Sequence, residues 1–182
     1  MSEGASHVVA ATPMHPSVFG VTGARAHEAI DALEQQMIHL PAVRCRLKHL
    51  FVPGMYTRTI HMPANTLVTS FIHRYDHTFV ISQGVVSVWI DGTGWVLLKA
   101  PHVGITKAGT RRVIWIHEDT VWTTSHPCEC KTVAEAEEYL LEPRHDHIEG
   151  IAQPLPETDD GIDNPLDLVV CPPPILLQGA TQ

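Results

Sequence analysis

Between Met55 and His126 the chain is cut into eight short runs, and this spacing constrains its architecture more than any other feature. The runs are 55–62, 66–73, 77–82, 85–90, 94–100, 103–106, 111–117 and 120–126. Each is rich in Val, Ile, Thr, Trp or Phe, the residues that suit a pleated, half-buried surface. Turn signals part them: Pro63-Ala64-Asn65, Arg74-Tyr75-Asp76, Gln83-Gly84, Asp91-Gly92-Thr93, Pro101-His102, Ala108-Gly109 and Glu118-Asp119. A parallel sheet needs long crossovers, usually helical, which gaps this short cannot hold. The runs therefore predict an all-β antiparallel sandwich or barrel.

The flanks read differently. Residues 1–20, with Pro13, Pro16 and Gly20, suggest an extended arm. Residues 24–39 predict a helix, with Ala26, Ile30, Leu33 and Met37 on one face and Pro41 as its stop. Glu28, Asp31 and Glu34 fall within its first three turns, toward the end where the helix dipole favours acids. Its apolar face is expected to pack on the barrel wall or on another subunit. Thr132-Val133-Ala134-Glu135 is a capping box that opens a second helix running through Leu141. The expected segments are thus an arm and helix over 1–50, a barrel over 51–127, a helical segment over 128–150 and an extended acidic, Pro-rich tail over 151–182. Within the tail, 166–170 and 175–177 are apolar pieces expected to dock on a neighbour.

Composition narrows the function classes. The net charge of −8 is lopsided, because residues 129–182 carry 12 of the 20 acids and only two bases, Lys131 and Arg144. An acidic tail repels phosphate backbones and argues against nucleic acid as a partner. No apolar run approaches the ~20 residues of a membrane helix, and the N-terminus has no secretory pattern. Cys45, Cys128, Cys130 and Cys171 fit neither a zinc knuckle nor a disulfide framework and are expected as reduced thiols. Ser125, His126 and Cys128 lack an oxyanion-hole motif and predict no nucleophilic catalysis.

The central segment resembles the first motif of the cupin superfamily: Gly, five residues, His-x-His, three or four residues, Glu, six residues, Gly. Asn65 takes the first Gly position, Phe71 the first His and His73 the second. His77 stands at the Glu position and Gly84 at the last Gly. Gly109 fits the glycine of the second motif, and Arg112 stands where its His belongs. A closer resemblance spans roughly residues 30–140, to small cupin-like proteins of tailed bacteriophages and prophages. It is carried by Phe51-Val52-Pro53-Gly54-Met55-Tyr56, Met62-Pro63-Ala64, Ile72-His73-Arg74, Ala108-Gly109-Thr110-Arg111-Arg112 and His117-Glu118-Asp119-Thr120-Val121-Trp122-Thr123-Thr124.

The resemblance implies a jelly-roll barrel, a viral origin and a divalent metal (Zn, Fe, Mn or Ni) at one mouth. In that arrangement the ends of the strands bring His73, His77 and His126 together as ligands. Arg112, Tyr56 and Asp76 then serve as ligand-binding or orienting groups. His61 and His117 fall at the opposite mouth. His145-Asp146-His147 is a weaker metal signal. The expected function is metal-assisted binding of a small ligand, in the host cytoplasm or the virion. The alternative is a non-enzymatic assembly or virion protein, a homo-oligomer using the barrel as a scaffold, with other virion proteins as further candidate partners.

Overall fold

The computed structural model describes residues 22–37, 39, 43–143 and 167–169. Eight strands build the barrel: β2 (Met55–Met62), β3 (Thr66–Thr69), β4 (His77–Gln83), β5 (Val85–Ile90), β6 (Gly94–Lys99), β7 (His102–Thr106), β8 (Arg112–Ile116) and β9 (Thr120–Pro127). Before them come α1 (Ala24–Met37) and β1 (Val43–Val52), and after them α2 (Val133–Leu140) and β10 (Asp167–Val169). One sheet runs β10-β1-β2-β9-β4-β7, the other β3-β8-β5-β6, and every pairing is antiparallel. Strands β2 to β9 thus pair first with last and inwards, which is jelly-roll connectivity.

Alternation on the pleat creates the core. Met62, Phe79, Ile81, Val86, Val88, Ile114, Ile116 and Trp122 point between the sheets and are buried together. The outer face of the first sheet is polar near its centre, where Thr59 bonds Thr123 at 2.9 Å and Thr57 bonds Ser125 at 3.3 Å. The outer face of the second sheet is covered by α1. Ala26 and Ile30 pack there on Trp89 and Val113, with Leu33, Leu67 and Trp95 around them. The helix therefore lies on its own barrel wall.

Arg111 fastens that helix. Its guanidinium, 7% exposed, meets Asp31 at 2.5 Å, Glu34 at 2.8 Å and the His27 carbonyl at 3.2 Å. Glu34 is accordingly buried on the packed face, where the sequence suggested only a dipole-favoured acid. The capping box of α2 forms, with the Glu135 amide donating to Thr132 Oγ1 at 3.2 Å.

Four expectations change. Residues 43–52 form the full-length strand β1, whereas the expected arm-and-helix segment ran to residue 50. The predicted strand 66–73 ends at Thr69, so residues 70–76 form the corner on which His73 sits. Cys128 and Cys130 are joined as a disulfide, with Cα atoms 5.3 Å apart, while Cys45 is a buried thiol. In the tail, Asp167–Val169 pairs with β1 of its own chain instead of a neighbour. The N-terminal arm, the 145–147 histidines and the 175–177 segment lie outside the described residues. Among the described residues no helix is long and apolar enough to cross a membrane.

Gly84 explains why the motif ends in glycine. Its φ of +93° is a left-handed conformation. A Cβ there would collide with Thr120 Oγ1 and would sit 2.7 Å from the Asp119 carbonyl oxygen. Strain and collision together should cost Gly84→Ala on the order of 2 kcal/mol. A lowered midpoint in urea unfolding checks this, and an unchanged midpoint would refute the close approach.

Candidate metal centre

Register across the first sheet assembles one mouth of the barrel. Tyr56 on β2 lies opposite His126 on β9, and Thr78 on β4 lies opposite Ser125, which sets His77 beside His126. His77 in turn pairs with Thr106 on β7. Tyr56, His126, His77 and Thr106 are all buried and so form one inward-facing row.

The third imidazole comes from the corner. Residues 72–74 are held there by the chain leaving α2: Arg74 N donates to Leu140 O at 2.8 Å and Glu142 N to Ile72 O at 3.0 Å. Gly109 N donates to His73 O at 2.9 Å, and the Tyr75 and Tyr139 rings stack at 5.0 Å. The second helix thereby fixes His73 over the row.

His73, His77 and His126 converge. Their ring centroids are 4.3 Å (73–77), 4.3 Å (77–126) and 5.1 Å (73–126) apart. Each offers a ring nitrogen within 4.8 Å of the other two. Tetrahedral Zn–N bonds of about 2.0–2.1 Å require donor atoms roughly 3.3 Å apart, so small ring movements close the site. Backbone carbonyls orient the ligands: Tyr75 O lies 3.4 Å from His77 Nδ1, and Phe71 O bonds His73.

The cluster is neutral near pH 7. Burial, then the charge of His77, pulls His73 down to about 4 and His126 to about 3, and burial lowers His77 as well. Neutral imidazoles keep their lone pairs for a cation, which fits a divalent ion. The same shifts predict a pH dependence for metal-free protein. The unfolded histidines, near 6.5, take up protons before the folded ones. Stability from the neutral cluster is therefore complete above about pH 6.5 and lost as pH falls toward 4 and 3. Thermal melts across that range should show the decline, and a His77→Gln, His126→Gln variant should flatten it.

The remaining expected site residues are placed as follows. Arg112 is 7% exposed, and its guanidinium lies 5.0 Å from the centre of the Phe79 ring. Tyr56 OH bonds His49 Nδ1 at 2.6 Å, and its ring stacks with that of His126 at 5.9 Å. Asp76 departs from its expected role of orienting an imidazole. Its two carboxylate oxygens receive Lys107 Nζ at 2.6 Å and Ala108 N at 2.8 Å, and this pins the turn before β8. Phe71, at the first His position, is 36% exposed. His61 pairs with Val121 and His117 bonds Ser87, both far along the strands from His126.

Sequence reasoning missed Arg58. It follows Tyr56 on the inward side of β2, opposite Thr124, and its charge acts on both His73 and His126. The available signal was a basic residue at an inward position of a strand whose Tyr56, Ile60 and Met62 are apolar.

No family model matches the chain. No curated protein matches it either. Solved structures do. Ectoine synthase from P. lautus aligns at a TM-score of 0.46 and 11% identity, over 59% of this chain and 83% of that one. A cupin-2 domain containing protein from Shewanella frigidimarina aligns at 0.37 and 11%, over 43% and 76%. The Schizosaccharomyces pombe Cnp3 cupin domain aligns at 0.39 and 21%, over 52% and 66%.

Proposed function

We propose that this chain is a cupin-type protein that holds one divalent metal ion on His73, His77 and His126 and binds a small ligand beside it. The observation that carries the reading is the convergence of three neutral, largely buried imidazoles from β4, β9 and the 70–76 corner. Three protein ligands leave a coordination position open for water or a ligand. A bound divalent cation supplies Lewis acidity to an oxygen ligand. The chain's own residues do the rest. The carbonyls of Phe71 and Tyr75 orient two rings, and α2 holds the corner closed. Motif spacing from Asn65 to Gly84 supports the cupin assignment, and the resemblance over 30–140 supports a phage or prophage origin. The product would then act in the host cytoplasm or in the virion.

Titration calorimetry with Zn²⁺, Mn²⁺, Ni²⁺ and, without oxygen, Fe²⁺ tests the centre. The reading requires saturation at one ion per chain for at least one of them. Absence of saturable binding for all four rejects it.

A scaffold role in a homo-oligomer, with or without other virion proteins, is favoured by a separate observation. Val103 (69%) and Ile105 (60%) are exposed on β7, at the sheet edge, with Val80 (37%) beside them. Such a strip suits contact with a second copy. Sedimentation equilibrium of wild type and of Val103→Asp, Ile105→Asp decides it. The variant should dissociate, and a monomeric wild type would refute it.

A further inference from the structure

We infer that Arg58 and Arg112 form an anion-holding pair beneath the histidine row, so that the ligand of this mouth is a small carboxylate. Two unpartnered atoms point to it. Arg112 Nε and Arg58 Nε are both buried without a hydrogen-bond acceptor, and Arg112 as a residue is more than nine-tenths buried. A buried guanidinium donor without an acceptor carries its full desolvation penalty, which a bound anion relieves. Among the described residues, no carboxylate forms an ion pair with either arginine. The inward positions of β2, β4, β8 and β9 include no Asp or Glu.

The two arginines stand on one inward-facing level of the barrel, on opposite sheets. Arg58 lies opposite Thr124, Thr124 lies opposite Phe79, and the Arg112 guanidinium sits by the Phe79 ring. This row is one pleat below Tyr56, His126 and His77, about 7 Å deeper. The two guanidinium groups bring two positive charges to a level where no described carboxylate pairs with them, and an anionic ligand balances that charge.

Size and shape limit the anion. Immediately below, Ile60, Ile81 and Trp122 belong to the packed core and close the floor of the mouth. Gly104 opposite Phe79 matters here, since a Cβ at that position would stand 2.6 Å from the ring. The bare backbone leaves room for the ring, which stacks on Trp122 at 4.6 Å and lies beside the Arg112 guanidinium. A planar carboxylate meets a guanidinium fork edge-on through two parallel hydrogen bonds. The direction in which the ligand's other end faces rests on the proposed triad, whereas the arginine pair does not.

The test uses the full chain stripped of metal by a chelator. Thermal melts are recorded with malonate, inorganic phosphate and uncharged malonamide. Malonate should raise the melting temperature, and malonamide should leave it unchanged. Arg58→Gln and Arg112→Gln should each weaken malonate binding in calorimetry roughly tenfold or more. His126→Ala should keep the malonate shift, which separates failure of the anion pair from failure of the metal triad. Arg58 is the less buried of the two, so its variant keeps the test decisive if Arg112→Gln does not fold. An unchanged malonate affinity in Arg58→Gln, or no malonate shift in wild type, overturns the proposal. Stronger binding of phosphate than of malonate overturns the carboxylate assignment.

Discussion

Replacing His126 with alanine is expected to lower metal affinity by at least about a hundredfold while leaving the barrel folded. Loss of an outer partner that merely orients a ligand already costs about 10–100-fold, so loss of a donor atom lies at the top of that range or beyond. His126 brings its ring from the end of β9, while the strand's pairing with β2 and β4 runs through backbone bonds that alanine keeps. The imidazole removed is one that burial already holds neutral, so no charge pair is broken. Circular dichroism should therefore superimpose on wild type while calorimetry reports the loss. His77→Ala should behave alike. His61→Ala, on β2 well away from the site, should bind metal as wild type does. Equal loss in all three variants would mean that binding is not local to this mouth.

The second large effect is structural. Arg111→Ala is expected to destabilise the fold by about 3–5 kcal/mol, the usual cost of removing one partner from a buried ion pair. Glu34 carries most of that cost, because its side chain is only 4% exposed and loses its guanidinium. Asp31, 64% exposed, adds little, since water screens it. For a chain of this size the melting temperature should fall by roughly 10 °C. Arg111→Met combined with Glu34→Leu should recover most of the loss, because an apolar pair of similar volume is often neutral or better. If Arg111→Ala melts as wild type does, the clamp between α1 and the barrel is not energetically important.

These two arginines show what was legible in the sequence and what was not. Adjacent in sequence, Arg111 and Arg112 point to opposite faces of the same strand region, one to the helix and one to the interior. The motif position set Arg112 apart as a ligand-binding group, but Arg111 had no role of its own in the sequence, because the separation of the two depends on which face α1 covers. The eight strands were legible from turn residues and β-branched runs, since that pattern is local. β1 was overlooked although Val43, Cys45 and Leu47 alternate with Arg46 and Lys48. Its basic residues and nearby Pro41 hid a period-2 signal. The barrel-end argument brought His73, His77 and His126 to one mouth. It relied on strand direction and not on how far each strand runs, so it did not foresee that His73 stands on a corner braced by α2. Asp76 lay near enough in sequence to suggest a partner for His77. Lys107 and Ala108, distant in the chain, compete for its oxygens and win. Arg58 and Glu34 share one lesson. A charge on the buried side of an amphipathic pattern marks a partner, either one already present, as for Glu34, or one to be bound.

The most direct test of the metal centre is the metal-to-protein ratio of the freshly purified full-length chain, measured by elemental analysis after removal of loosely bound ions. Wild type should carry one divalent ion per chain, and His126→Ala should show a ratio near zero. A wild-type protein that is folded yet carries no stoichiometric metal, and takes none up on reconstitution, would contradict it.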